Sequence, residues 1–191
     1  MNPWGQRLRW AGLGAICAGL AFTVAGLRAF TLSDLLGDSR MTPKSFAGRF
    51  WDFDYQVFPY VQDPDVFLKT KTGNCQDYAI MADYVLKRKT YQTRLIHVVL
   101  ACGSAHDVCY VDQVKGYLDF NNRVYARTIQ RSGRTIREIA DRAAASFDQD
   151  WTTASVYTYD YTEDFKHLTL TVVKTDPPSE DPDAATEFAS R

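Results

Sequence analysis

A cysteine stands at the predicted first turn of a helix in the sequence TGNCQDYA, residues 72–79. Gly73 and Asn74 come directly before Cys75, and asparagine is a favoured residue for capping the start of a helix. At that position the unpaired backbone N–H groups and the helix dipole favour the ionised sulfur. The same N–H groups can hold the oxyanion that forms when the sulfur attacks a carbonyl group. The pattern therefore predicts a nucleophilic thiol at Cys75, although most free cysteines are small, buried core residues.

A thiol nucleophile needs a base within about 3 Å, and that base needs an acceptor for its second ring nitrogen. His106 opens a predicted strand at residues 106–112, and Asp119 lies on the next predicted strand, at residues 116–120. We expect His106 to be the base and Asp119 to orient its imidazole. His97, which lies inside a β-branched run, is the main alternative base.

The register of these two strands decides whether Asp119 can face His106. If residues 112–115 form a loop, Val111 pairs with Gly116, and Asp119 becomes a diagonal neighbour of His106 on one face of the sheet. A loop that differs by one residue would turn Asp119 away and present Asn122 instead.

Taken together, these residues resemble the transglutaminase-like superfamily of papain-like enzymes, and most of all the bacterial transglutaminase-like cysteine peptidases. Residues 63–122 carry the likeness. It implies a helix packed on an antiparallel sheet and a Cys–His–Asp triad, with no metal or organic cofactor. Within that triad it makes Cys75 the nucleophile, His106 the general base and acid, and Asp119 the group that orients the imidazole.

Several nearby polar residues bear on substrate contacts rather than on the triad. Gln76 and Asp107 depart from the residues that are usual at these positions in the resembling families, which affects the expected substrate preference. Gln56, Gln62 and Gln76 are candidates for lining the cleft or for adding an oxyanion donor. One member of the aromatic run at residues 50–60 is a further candidate, although such a run more often forms core.

Around this site the hydrophobic pattern alternates between helical and strand spacing. Helices are predicted at residues 76–89 and 136–147, and a buried strand at residues 95–102. Two strands, 154–161 and 165–173, form a predicted hairpin. These elements predict an α+β domain with an antiparallel sheet, preceded by an N-terminal membrane helix.

Cys102 and Cys109 flank His106 and raise the question of a disulfide. If the folded part lies outside the cytoplasm and Cys17 is set aside, three cysteines remain. An odd number of this kind is consistent with one disulfide and one free thiol. A tight turn at residues 103–105 would instead put Cys109 on the opposite face, so both arrangements stay open. A metal site is less favoured, because no second Cys or His pair has ligand spacing.

Residues 1–30 differ in character from the rest of the chain. Arg7 and Arg9 precede an uncharged run at residues 10–27 that is rich in Ala, Gly and Leu. As a helix this run would be about 27 Å long, close to the hydrocarbon thickness of a bilayer. We expect an uncleaved membrane anchor or a cleaved signal peptide. The basic flank places the folded part outside the cytoplasm, in the periplasm or the extracellular space.

The remaining boundaries follow from composition. Residues 31–45 are predicted to be a polar connector with a short helical piece at residues 33–36, and residues 46–174 the transglutaminase-like catalytic domain. The tail at residues 175–191 is rich in proline, serine and acidic residues and is predicted to be disordered.

The composition is that of a globular protein, with 46% hydrophobic residues. Its 22 basic and 23 acidic residues nearly cancel, which leaves no electrostatic footprint for nucleic acid. The expected function is a thiol-dependent hydrolase, a peptidase or amidase that forms a thioester, acting on a peptide or protein at the cell envelope. Transfer to an amine is less favoured. The alternatives are a membrane-anchored binding or assembly module that keeps the fold without the chemistry, and a structural protein whose triad-like residues coincide by chance.

Overall fold

The computed structural model describes residues 30–122 and 129–175. The predicted membrane helix at residues 10–27 lies outside the described residues, as does the tail beyond Thr175. Within the described residues, no helix combines the length and the apolar character needed to cross a bilayer.

The described chain folds into five helices and eight strands around one larger sheet. In chain order they are α1 (Leu32–Gly37), α2 (Pro43–Arg49), β1 (Asp54–Tyr55), α3 (Pro64–Thr70), β2 (Thr72–Gly73), α4 (Cys75–Lys87), β3 (Thr93–Leu100), β4 (Ala105–Val111), β5 (Gly116–Leu118), β6 (Gln130–Arg131), α5 (Ile136–Ala145), β7 (Trp151–Asp160) and β8 (Phe165–Val173). A short 3-10 turn, Asp112–Val114, joins β4 to β5.

Six strands form the larger sheet in the order β6-β5-β4-β3-β7-β8, and each neighbouring pair is antiparallel. The two remaining strands, β1 and β2, form a separate parallel pair. This mixed arrangement confirms the prediction of an α+β fold with an antiparallel sheet. The predicted hairpin is also present as β7 and β8.

Helices cover both faces of the sheet, and each face has its own apolar core. Helix α4 packs on β3 and β4, whereas α5 packs on β3 and β7. The core on the α4 side includes Tyr78, Leu95 and Phe120, and the core on the α5 side includes Ile96 and Ile139. Successive residues of β3 thus point into different cores, as expected for a strand buried on both faces.

The segment 31–45, predicted to be a connector, is built into the same core. It carries α1 and the start of α2, and both helices begin with a capping box. The side chains of Leu35 and Met41 are 1% and 3% exposed and lie in the core on the α4 side. The short helical piece predicted at residues 33–36 is present as α1, whereas the packing of this segment into the core has no signal in its polar composition.

The register of β4 and β5 matches the prediction. Val111 pairs with Gly116, and Cys109 pairs with Leu118. Strand β5 ends at Leu118, earlier than predicted, because the Asp119 carboxylate accepts the backbone N–H of Asn121 at 2.9 Å and bends the chain.

The three cysteines of the described residues are free thiols. Cys102 is exposed in the turn between β3 and β4, and its sulfur lies 3.0 Å from the hydroxyl of Ser104. Cys109 is buried in the core on the α4 side. The two residues therefore lie in different surroundings and do not form a bridge.

Candidate active site

The first turn of α4 holds Cys75 in place. The side chain of Asn74 accepts the backbone N–H groups of Gln76 at 2.8 Å and Asp77 at 3.1 Å. In return, the Asp77 carboxylate accepts the N–H of Asn74 at 2.9 Å, which completes a capping box. Cys75 occupies the first helical position and is 7% exposed. Its sulfur therefore lies beside the positive end of the helix, as the sequence predicts.

Behind the cap, Gln62 holds the Asp77 carboxylate. Its backbone N–H donates to Asp77 at 2.7 Å, and its amide nitrogen donates to the carbonyl oxygen of Thr72 at 2.8 Å and to Asp77 at 3.2 Å. The close packing also explains Gly73, because a Cβ there would lie 2.5 Å from the ring of Phe67 and 2.9 Å from the Asp77 carboxylate. The position of Cys75 is thus set by a buried polar network on the preceding segment.

His106 lies near the start of β4 with 2% of its surface exposed. Its Nε2 atom is 3.1 Å from Oδ1 of Asp119. Because Asp119 takes Nε2, the other ring nitrogen, Nδ1, is the one available to the sulfur of Cys75. The imidazole and Cys75 also share hydrogen-bond and charge interactions. The ring edge of Phe147, with centroids 4.7 Å apart, shields the imidazole from the α5 side.

Asp119 is held by several donors besides the histidine. Asn122 donates to its Oδ2 atom at 2.7 Å, and the backbone N–H of Asn121 donates to Oδ1 at 2.9 Å. Burial raises the pKa of this carboxyl, but the bond to His106, the charge of His106 and the two asparagine bonds outweigh it and lower the pKa. Asp119 therefore stays ionised where it faces the imidazole.

These neighbours control the charge of His106. Burial lowers the pKa of His106, but the hydrogen bonds to Asp119 and Cys75 and the charges of both groups raise it to about 10. A protonated imidazole at neutral pH suits a thiolate partner, since each charge stabilises the other in a buried place. The structure thus brings Cys75, His106 and Asp119 together in one polar chain of contacts.

Tyr55 is a further member of the site that the sequence does not single out. Its hydroxyl lies near enough to the sulfur of Cys75 for the two groups to interact. Burial raises the pKa of Tyr55, and the charge and hydrogen bond of Cys75 raise it further. The aromatic run at residues 50–60 was the one signal for this residue, but nothing in that run separates Tyr55 from its neighbours.

The three glutamines predicted as cleft candidates take different positions. Gln62 is 5% exposed, and its amide is used by the buried contacts to Thr72 and Asp77. Gln56 is exposed, and its backbone N–H donates to the carbonyl oxygen of Gly73 at 2.8 Å. Gln76 is half-buried in the first turn of α4, directly after Cys75.

His97, the alternative base, lies in a different cluster. Its Nδ1 atom is 3.1 Å from Oδ1 of Asp107 and 2.8 Å from Nζ of Lys166. Lys166 also donates to Asp107 at 2.9 Å. Within the part of the chain that the structure describes, no three His, Cys, Asp or Glu side chains are arranged to hold a metal ion.

Comparison with known proteins gives distant structural likenesses. No family model and no curated protein matches the sequence. Three solved structures of LapG from Legionella pneumophila are similar to this chain, each at 16% sequence identity. The EGTA-treated form has a TM-score of 0.45 over 82% of this chain and 85% of LapG. The calcium-bound form has a TM-score of 0.44 over 83% and 87%, and a third structure has 0.45 over 82% and 84%. At this distance the function has to be inferred from the side chains of the chain itself.

Proposed function

We propose that this chain is a thiol-dependent hydrolase, a peptidase or amidase that attacks an amide or peptide carbonyl with Cys75. One observation supports this above the others. His106 interacts with the sulfur of Cys75 while its Nε2 atom contacts Asp119 at 3.1 Å. A nucleophile, a base and a group that orients the base are the parts that covalent catalysis of acyl transfer requires.

In the first half of the reaction, the Cys75 thiolate attacks the carbonyl carbon and an S–C bond forms. The carbonyl π electrons move to oxygen and give a tetrahedral oxyanion. The His106 imidazolium then passes its proton to the amide nitrogen, the C–N bond breaks and the amine leaves. The acyl group remains on Cys75 as a thioester.

In the second half, water takes the place of the amine. His106, now neutral, removes a proton from the water as its oxygen bonds to the thioester carbon. The C–S bond then breaks, the acid leaves, and the sulfur returns as a thiolate beside the imidazolium. Asp119 keeps the imidazole in one orientation through both halves, because it accepts the Nε2 proton.

Hydrolysis is proposed rather than transfer to a second amine because water is always available to the thioester. For the location, we propose that residues 10–27 hold the chain at the membrane with the folded part outside the cytoplasm. The substrate would then be a peptide or protein of the cell envelope.

The test compares the reactivity of the thiols in the full chain. Iodoacetamide near pH 7 should alkylate Cys75 at least about tenfold faster than glutathione, because the proposed mechanism requires a thiol activated by a neighbouring base. Peptide mass spectrometry separates Cys75 from the exposed Cys102, and Cys102→Ser is the matched control that leaves the site unchanged. A Cys75 rate no faster than that of glutathione would overturn the proposal.

A further inference from the structure

The short parallel pair of β1 and β2 brings a distant residue to the sulfur. Tyr55 pairs with Gly73, two residues before Cys75. Backbone hydrogen bonds hold the pair on both sides. The N–H of Asp54 donates to the carbonyl oxygen of Lys71 at 2.7 Å, and the N–H of Gln56 donates to that of Gly73 at 2.8 Å. This backbone pairing therefore fixes the position of Tyr55 next to the segment that leads into Cys75.

The ring of Tyr55 is supported on one side and open on the other. Its centroid lies 6.0 Å from that of Phe120, which is fully buried. Yet Tyr55 is 48% exposed, although its hydroxyl interacts with the buried thiol of Cys75. A half-exposed phenol that pairs beside Gly73 and interacts with Cys75 is placed to contact a substrate bound at the sulfur.

We propose that the Tyr55 hydroxyl is an oxyanion donor of this site and that it works opposite the backbone N–H of Cys75. This inference rests on the proposed thiol chemistry. When the sulfur bonds to the carbonyl carbon, the oxygen that takes up the negative charge lies about 3 Å from the sulfur, so a donor held next to the sulfur can also interact with that oxygen. As the negative charge moves from the sulfur to the oxygen, the Tyr55 hydroxyl changes the acceptor of its hydrogen bond from the thiolate to the oxyanion.

Three further features fit this role. The Asn74 cap uses the N–H groups of Gln76 and Asp77, and the N–H of Cys75 lies outside that cap. Gln62 is a buried candidate for the same role, but its side-chain amide already donates hydrogen bonds to Thr72 and Asp77. The raised pKa of Tyr55 keeps the phenol protonated at neutral pH, so that it can donate.

The experiment uses two reagents that make different demands on the site. p-Nitrophenyl acetate acetylates a thiol through a tetrahedral oxyanion: sulfur bonds to the acetyl carbon, and p-nitrophenolate leaves with the electron pair. Iodoacetamide alkylates the same sulfur by direct displacement of iodide, and no oxyanion forms. Both rates are measured on the full chain for the wild type, Tyr55→Phe and Cys75→Ala.

Tyr55→Phe should slow acetylation of Cys75 by about 10- to 100-fold, as expected for the loss of one oxyanion donor. Alkylation by iodoacetamide should change by less than about threefold. Tyr60→Phe is the matched control, since Tyr60 is 55% exposed in the same segment and its ring packs on Phe58, so both rates should stay at the wild-type level.

The other outcomes each overturn the inference. If Tyr55→Phe slows acetylation and alkylation equally, Tyr55 acts on the thiolate alone. If both rates rise, the ring blocks access to the sulfur. If neither rate changes, Tyr55 has no part in the reaction. Unchanged rates in Tyr55→Phe with fast Cys75-dependent acetylation leave the proposed function standing. Acetylation in the wild type no faster than in Cys75→Ala removes both.

A second variant covers the case in which Tyr55→Phe does not fold. 3-Fluorotyrosine at position 55 keeps the ring and the hydroxyl but makes the hydroxyl a stronger donor. It should speed acetylation and leave alkylation unchanged, and slower or unchanged acetylation would overturn the inference.

Discussion

Two histidine–aspartate pairs lie side by side in the sheet, and they share the same contact distance. His106 is 3.1 Å from Asp119, and His97 is 3.1 Å from Asp107. Adjacent residues of β4 supply one member of each pair, so their side chains leave the strand on opposite sides. The carboxyl pKa is lowered in both pairs.

The third partner separates the two pairs. Beside His106 stands the sulfur of Cys75, whereas beside His97 stands the ammonium group of Lys166, 2.8 Å from Nδ1. Burial raises the pKa of Asp107, but His97 and Lys166 together outweigh it. Lys166 balances the charge of Asp107 through an ion pair at 2.9 Å.

A histidine–aspartate contact is therefore not enough to mark a catalytic base. What matters is whether a nucleophile or a fixed cation completes the group. In this chain the helix start at Cys75 completes one pair, and a lysine from β8 completes the other. Under the proposed function the first pair serves proton transfer, whereas the second links side chains of three strands.

Exchange of each histidine should give the largest difference between the pairs. His106→Gln should slow acyl transfer to Cys75 by about 10³-fold, since it removes both the proton acceptor and the imidazolium that stabilises the thiolate. His97→Gln should change the rate by less than about tenfold. Release of p-nitrophenolate from p-nitrophenyl acetate measures both variants, with unfolding curves to show that each is folded. A larger loss in His97→Gln would reverse the assignment of the base.

Exchange of each aspartate should separate stability from activity. Asp107→Asn should lower the free energy of unfolding by about 2 kcal/mol, because it leaves Lys166 without its buried counter-charge, although Lys166 can regain some water. Urea unfolding at pH 7 measures the loss. The contribution of Asp107 is present above its ordinary pKa of 3.8 and is lost as the pH falls through its lowered folded pKa, so the difference from wild type should vanish in acid.

Asp119→Asn is the matched variant for that experiment. It should slow acyl transfer by at least about 10²-fold, because the imidazole loses the acceptor that sets its orientation. Acyl transfer in Asp107→Asn should stay within about threefold of wild type. If the two variants lose activity equally, the two pairs are not functionally distinct.

The last comparison concerns stability at alkaline pH. The folded pKa of His106 is about 10, above the ordinary value of 6.5, so the folded state holds a proton that the unfolded state releases. This contribution is fully present below pH 6.5 and is lost as the pH rises toward about 10. Urea midpoints across that window should fall in the wild type and fall less in His106→Gln. A slope in His106→Gln as steep as that of the wild type would contradict the assignment of this effect to His106.

Much of the site follows from local signals in the sequence. The capped helix start places Cys75, and the loop length between β4 and β5 sets the register that lets Asp119 reach His106. Both signals act over a few residues, where backbone geometry leaves few choices. The role of Tyr55 has no such signal, because the two-residue pairing that brings it to Gly73 is too short to leave a pattern.

What the amino-acid sequence determined by itself was the class of fold, the helix start at Cys75 and the pairing of β4 with β5. These depend on hydrophobic periodicity, capping and loop length, which are local properties. Tertiary structure alone decided which histidine meets the thiol and which meets Lys166, and it alone brought Tyr55 to the sulfur. Those choices depend on contacts between residues far apart in the chain, and packing of the sheet against α4 brings such residues together.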